Sequence, residues 1–129
     1  MPRPVTDVHI DGFQYKITAL PATEGRRLYL ALIKVLAPGL EKLPSLKDAK
    51  SADKILALVS GSIEGLDIHT LDDFCETFGR HCEIIRGQNA MTISPAEFGE
   101  HFSGRYAAMT KWLLECIKAN KFLDFLADK

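Results

Sequence analysis

Histidine and cysteine are the side chains of this sequence best suited to catalysis or metal binding. His81 and Cys82 are adjacent, and Cys75 precedes Cys82 by seven residues on a predicted helix. Zinc ligands in one segment are usually separated by about two to four residues, which neither pair satisfies. The spacing therefore favours Cys75, Cys82 and Cys116 as small buried apolar side chains, and it predicts no metal site.

A second group of reactive types recurs every four residues, so that Glu97, His101 and Arg105 fall on one predicted helical face. One interpretation is an acid–base cluster. The other is a polar face that is solvated or bonded locally, with Arg105 pairing with a carboxylate such as Glu97 or Asp124. No nucleophile or oxyanion donor lies nearby in the sequence, which favours the second interpretation.

The sequence also lacks motifs for phosphate or calcium binding. The glycine-containing segments PGLEKL and GSIEGL do not join a strand to a helix with Lys-Ser or Lys-Thr. Asp67, Asp72 and Asp73 surround a predicted helix start and lack the alternating spacing of a calcium loop. We therefore predict a binding protein with no catalytic residues and no cofactor.

Composition limits the class of protein further. The chain has 129 residues, of which 47% are hydrophobic and 26% charged, and this predicts one domain, residues 1–129, with a real core. The formal net charge of −1 argues against nucleic-acid binding. An odd number of cysteines fits a reducing cytoplasm, and no apolar run has the length of a membrane span.

The amino-terminal segment predicts a β-hairpin over about residues 8–18. Apolar and polar residues alternate on both sides of Asp11-Gly12, and Asp-Gly is a strong signal for a two-residue turn with positive φ. An isolated hairpin is marginal in water, so its apolar face must lie on the helices that follow.

Residues 21–127 predict a helical bundle. The first helix opens near Pro21 and stops at Pro38-Gly39, a second runs from near Ser51 to about Gly65, and a third starts near Thr70. Thr70 and Asp73 have the spacing of a capping box. The segment between the first two helices is polar and turn-prone.

The clearest helix start is Ser94-Pro95-Ala-Glu97, in which serine caps, proline takes the first position and glutamate completes the box. A break is expected at Ser103-Gly104, and Asn120 is expected to end the last long helix. The β-prone pieces 83–86 and 90–93 are either a loop or a second small hairpin. We predict a mainly α protein with a short N-terminal β-hairpin (α+β), forming a compact bundle of about four to five helices.

Two stretches carry a family resemblance. They are IDGFQYKITALPATEGRRLYLALIKVLAP, residues 10–38, and FGEHFSGRYAAMTKWLLECIKANKFLDF, residues 98–125. Both resemble the phage tail assembly chaperones of long-tailed bacteriophages, the first in its hairpin, Leu-Pro-Ala step and leucine-rich helix. The second resembles the family's His-Phe-small-Gly-Arg-Tyr element, long helix and closing aromatics. The family pattern commonly places Phe directly after Asn, whereas here Lys121 stands between Asn120 and Phe122.

The resemblance implies a non-enzymatic protein of the host cytoplasm that is absent from the mature virion. Its implied partner is the tape-measure protein, a long helical protein that the chaperone keeps soluble, with the major tail-tube protein as a further partner. A longer frameshifted form is common in the family. Whether the chain forms a homo-oligomer stays open, and so does the alternative of a structural virion component, such as a tail-completion or connector protein.

The predicted partner-binding set near the carboxyl end has one arginine and five aromatic or apolar residues. For Phe122, Phe125 and Leu126 the sequence is compatible both with core closure and with an interface. The set consists of Arg105, Tyr106, Trp112, Phe122, Phe125 and Leu126.

Overall fold

The computed structural model describes residues 3–41, 61, 63 and 65–122. Within these residues the chain forms four strands and four helices. In chain order they are β1 (Val5–Ile10), β2 (Phe13–Thr18), α1 (Ala22–Glu41), α2 (Ile68–Arg80), β3 (Cys82–Arg86), β4 (Asn89–Thr92), α3 (Pro95–His101) and α4 (Tyr106–Ala119). The second predicted helix, from near Ser51, and the polar segment before it lie almost wholly outside the described residues.

The strands form one antiparallel sheet in the order β1-β2-β3-β4. The predicted helical bundle with only an N-terminal hairpin is therefore wrong, although the α+β class holds. Strand β2 pairs with β3, placing Tyr15 opposite Ile84, so the hairpin is one half of a larger sheet. A hairpin alone would expose unpaired backbone along β2, and the second hairpin supplies those partners. Of the two interpretations of residues 83–93, the hairpin is confirmed.

The two hairpin turns differ in type. Asp11 and Gly12 have φ of 51° and 82°, which is the type I′ geometry predicted from Asp-Gly, and β1 begins at Val5 rather than near residue 8. In the second turn Gly87 has φ of 62°, and the φ of Gln88 is not positive. A type II′ turn requires this combination.

One face of the sheet carries the core. Tyr15, Ile17, Cys82 and Ile84 alternate along β2 and β3, and all are at most 1% exposed. Helices α2 and α4 contact the sheet, and three leucines of α1 are fully buried at helical spacing: Leu28, Leu32 and Leu36. The opposite face presents Asp7, Lys16 and Glu83 side by side on neighbouring strands, a pattern typical of a solvated antiparallel sheet.

Two predicted helix boundaries are wrong. Helix α1 continues through Pro38 and Gly39 to Glu41. Proline lacks an amide hydrogen, so one backbone hydrogen bond is missing at Pro38, but the helix does not end there. Helix α2 begins at Ile68, where the Asp67 carboxylate accepts from the Thr70 amide at 2.9 Å. Asp73 is consequently not a capping residue, and it binds Arg27 of α1 instead.

Three other predicted boundaries are confirmed. The Ser94 hydroxyl accepts a hydrogen bond from the Glu97 amide at 3.2 Å and caps α3. The chain breaks between α3 and α4 at Gly104, whose φ is 73°. Asn120 ends α4.

Candidate partner-binding surface

The turn between α3 and α4, which we call the corner, consists of residues 101–106. His101 is 7% exposed, and its Nε2 lies 2.6 Å from the Tyr15 hydroxyl and 3.4 Å from Nη1 of Arg105. Arginine can only donate, so Nε2 accepts from Arg105; the Tyr15 hydroxyl then donates to the same nitrogen, and the proton of the neutral ring is assigned to Nδ1. Burial, and then the charge of Arg105, lower the pKa of His101. Local bonding is confirmed, whereas a solvated face is wrong for His101.

Arg105 joins the corner to the amino-terminal hairpin. Its Nη1 donates to the His101 carbonyl at 3.0 Å, and its guanidinium carbon lies 4.6 Å from the centre of the Phe13 ring. Its Nη2 lies 3.8 Å from the Asp11 carboxylate. The expected pair with Glu97 is wrong, since Glu97 faces Arg86 at 3.7 Å; Asp124 lies outside the described residues. Glu97, His101 and Arg105 therefore do not form one cluster.

The predicted partner-binding residues occupy different environments. Trp112 is 0% exposed, donates from Nε1 to the Cys82 sulfur at 3.4 Å and contacts three phenylalanine rings. Phe122 is 5% exposed and lies against the rings of Tyr29 and Phe78. Trp112 and Phe122 are thus core side chains. Phe125 and Leu126 lie outside the described residues.

Phe122 is fixed by the end of α4. The Lys121 amide donates to the Lys118 carbonyl at 3.0 Å and the Phe122 amide to the Ile117 carbonyl at 3.3 Å, which is the pattern of a Schellman motif. Lys121 takes the left-handed position, with φ of 60°. The extra residue after Asn120 thereby turns Phe122 back into the core.

Asn120 makes a contact that sequence reasoning missed. Its side-chain oxygen accepts from the Leu20 amide at 2.7 Å, and its side-chain nitrogen donates to the Cys116 carbonyl at 2.8 Å. Asparagine at a helix end was a signal for local capping only. Its bond to the segment between β2 and α1 depends on tertiary structure.

The cysteines are confirmed as buried apolar residues. Burial raises the pKa of Cys75 to about 12 and that of Cys82 to about 11, and it raises the pKa of Cys116 well above its ordinary value. Thiols of this kind are protonated at neutral pH and are poor nucleophiles. His81 turns away from Cys82, and its Nε2 lies 3.0 Å from the Glu24 carboxylate. In the described part of the chain, no three His, Cys, Asp or Glu residues come together as a metal site.

Among the predicted partner-binding residues that the structure describes, Tyr106 is the exposed one, with 68% of its surface accessible. It lies at the mouth of a shallow cleft of about 250 Å³ between α3 and α4, the Tyr106 cleft, lined by Phe98, Gly99, Phe102, Ser103, Tyr106 and Met109. Aromatic and methionine side chains are common at surfaces that bind apolar partners. The hydrogen bonds of His101 and Arg105 lie in the same corner as Tyr106.

A second cleft adjoins the first and was not foreseen from the sequence. It encloses about 260 Å³ between α2 and α3, is lined by Asp72, Cys75, Glu76, Ile93, Ser94, Pro95 and Phe98, and shares Phe98 with the Tyr106 cleft. Asp72 and Glu76 are exposed on its α2 side. We call it the acidic cleft. The i,i+4 spacing of two acids was visible in the sequence, but the apolar floor comes from a distant segment.

Taken together, these features define a small α+β domain with apolar clefts at its surface and buried, protonated thiols. No helix among the described residues is long and apolar enough to cross a membrane. The profile of the family "Phage tail assembly chaperone protein, TAC" matches residues 11–128. The chain therefore belongs to the phage tail assembly chaperone family, as the two end segments indicated. No curated protein and no solved structure shows a significant match.

Membership of this family makes the chain a chaperone of bacteriophage tail assembly. Assembly chaperones of this kind are generally not enzymes, and the family implies a role outside the finished virion.

Proposed function

We propose that this chaperone binds the tape-measure protein through the Tyr106 cleft and keeps it soluble until the tail tube assembles around it. The observation that carries the proposal is the exposure of Tyr106 over a floor of Phe98, Phe102 and Met109 on a corner braced by buried hydrogen bonds. A rigid aromatic contact loses little conformational entropy on binding.

The binding mode that fits a shallow cleft is a helix laid in a groove. A long helical client exposes apolar faces before its own partners arrive, and such faces drive aggregation. Each cleft is small, so a single contact has an affinity on the order of micromolar. Many copies along one client give dense coverage, while polymerising tube subunits still displace each copy.

The predicted partner-binding residues divide into contacts and supports in this proposal. Tyr106 touches the client, and Phe125 and Leu126 provide a further apolar contact. Arg105 positions Tyr106 by its bonds to His101 and its packing on Phe13. Trp112 and Phe122 are buried and contribute only through the packing of the core. The chain works in the host cytoplasm without a cofactor, and the major tail-tube protein is a second candidate partner.

Co-expression tests the proposal. The chain is produced with a tag beside the tape-measure protein of the same phage, and the soluble fraction and the eluate are measured by quantitative mass spectrometry. We expect soluble tape-measure protein only in the presence of the chain. Tyr106→Ala should lower its recovery severalfold, because it removes the largest exposed side chain of the cleft. Met91→Ala, which truncates an apolar residue that is 41% exposed on β4, is the matched control.

Two outcomes would contradict the proposal. One is a tape-measure protein that stays soluble without the chain and does not co-purify with it. The other is stoichiometric recovery of the chain in purified virions, which would favour a structural component such as a connector or tail-completion protein.

A further inference from the structure

We propose that the acidic cleft docks a helical client segment that carries lysine or arginine beside its apolar stripe. This inference rests on the proposed function, and it adds the charge pattern that the client must present.

The carboxylates of the acidic cleft have no ion-pair partner in the part of the chain that the structure describes. Asp72 and Glu76 are exposed, and within the described ranges neither makes an ion pair or a side-chain hydrogen bond. Arg80 lies one turn beyond Glu76 and could neutralise it, but its Nη2 binds Glu24 of α1 at 3.2 Å. Like charges one turn apart repel each other, so the free protein maintains an unfavourable pair at the rim of an apolar cleft.

Other acids close to this region are already paired. Asp73 is held by Arg27 through two hydrogen bonds of 3.0 and 3.2 Å, and Glu97 faces Arg86 at 3.7 Å. Asp72 and Glu76 are therefore the unpaired carboxylates that line the cleft within the described residues. A neutral or acidic helix gains nothing from these two groups, whereas a basic one relieves their repulsion.

The spacing of the pair matches a helix. Side chains four residues apart on a helix lie about 5–6 Å from each other, so two basic residues one turn apart on a client helix can face both carboxylates. Packed helices are about 8–10 Å apart, a distance that lysine and arginine side chains readily bridge.

The floor of the acidic cleft determines which client side chains fit beside the basic residues of the client helix. Cys75, Ile93, Pro95 and Phe98 form an apolar recess of about 260 Å³. An apolar cavity of about 150 Å³ holds benzene, whereas sites for small molecules usually start near 300 Å³. The recess therefore suits one or two large apolar side chains of a peptide. Because Phe98 also lines the Tyr106 cleft, an occupant of the recess adjoins the proposed aromatic contact.

Paired peptides test this inference with the full-length chain. The probe is a fluorescent amphipathic helix of about 18 residues with a leucine stripe flanked by lysines, and its twin has glutamate at every lysine position. Fluorescence anisotropy measures both affinities at low and high salt. We expect the basic peptide to bind at least tenfold more tightly than its twin, with a preference that shrinks as salt is added.

Variants of the carboxylates distinguish a site from general attraction. Asp72→Asn with Glu76→Gln should weaken binding of the basic peptide roughly five- to tenfold, as expected for the loss of two exposed ion pairs. Asp7→Asn with Glu100→Gln changes the net charge equally at two other exposed acids and should have little effect. Asp72→Lys with Glu76→Lys should reverse the preference, so that the glutamate peptide binds more tightly.

Equal affinity for both peptides, or equal effects of the two neutralised pairs, would overturn the inference. If Tyr106→Ala loses tape-measure binding and the wild-type chain binds both peptides equally, the proposed function stands and this inference is refuted. Selective peptide binding without any tape-measure binding would instead refute the proposed function.

Discussion

Gly79 permits α2 to pack directly on the chain that leaves β4. A Cβ built on Gly79 would lie 2.6 Å from the Ile93 carbonyl oxygen, and Ile93 is itself 1% exposed. Ordinary contacts of this kind are at least about 3.4 Å, so alanine must push two backbone segments apart by roughly 0.8 Å. Overpacking of this kind costs about 1–3 kcal/mol. Since the opposing atom belongs to the backbone, the upper half of that range is expected.

Gly99 provides the matched control for Gly79→Ala. It lies in α3, and a Cβ there would meet nothing within 4 Å. Alanine stabilises an exposed helical position by up to about 1 kcal/mol relative to glycine. Gly99→Ala should therefore raise the free energy of unfolding slightly, while Gly79→Ala lowers it. The two variants should differ by about 2–4 kcal/mol.

Urea denaturation followed by Trp112 fluorescence measures the difference, because this tryptophan is fully buried. The slope of the transition should stay the same in both variants, since neither changes the surface exposed on unfolding. The reasoning fails if Gly79→Ala is as stable as the wild-type protein, or if Gly99→Ala is destabilised to the same extent.

Two further predictions concern the end of α4 and the corner. Lys121 adopts φ of 60°, so Lys121→Gly should stabilise the protein by about 1 kcal/mol in the same assay. Lys118→Gly, inside the helix, should destabilise it by a similar amount. The Schellman assignment would be contradicted if both variants changed the free energy of unfolding in the same direction. His101 has a pKa below its ordinary value of 6.5, so the unfolded chain binds its proton more readily and stability should fall as the pH drops below about 6.5. His101→Gln should flatten the difference in unfolding free energy between pH 7.5 and pH 5.5, and an unchanged difference would show that another group carries it.

Local chemistry made parts of the fold predictable. Asp11-Gly12 has few alternatives to a two-residue turn. Ser94-Pro95 specifies a helix start because the serine hydroxyl accepts from the Glu97 amide and proline suits the first helical position. The start of α2 was misplaced because Asp67 and Thr70 are both good capping residues. In the structure Asp67 is the cap, and Asp73, the predicted partner of Thr70, forms an ion pair with Arg27 of α1.

Pairing between strands that are distant in the sequence explains why the predicted helical bundle is wrong. The segment Cys82–Arg86 is only five residues long, and it becomes a central strand because β2, more than sixty positions earlier, offers a matching edge. The candidate site shows the same limit. The sequence predicts Tyr106 as a partner-binding residue but does not predict the acidic cleft, since Ile93 and Phe98 meet Cys75 only in the folded chain.

The contacts of Tyr15 with His101 and of Leu20 with Asn120 join residues that are 86 and 100 positions apart. Ribosomes add about 5–20 residues per second, so roughly 5–20 s separate synthesis of the hairpin from synthesis of the helices that cover it. During that interval the apolar face of the hairpin has no final partner. The protein is therefore expected to complete its fold late in translation, and for those seconds it exposes apolar surface of the kind that, in the proposed function, it covers on its client.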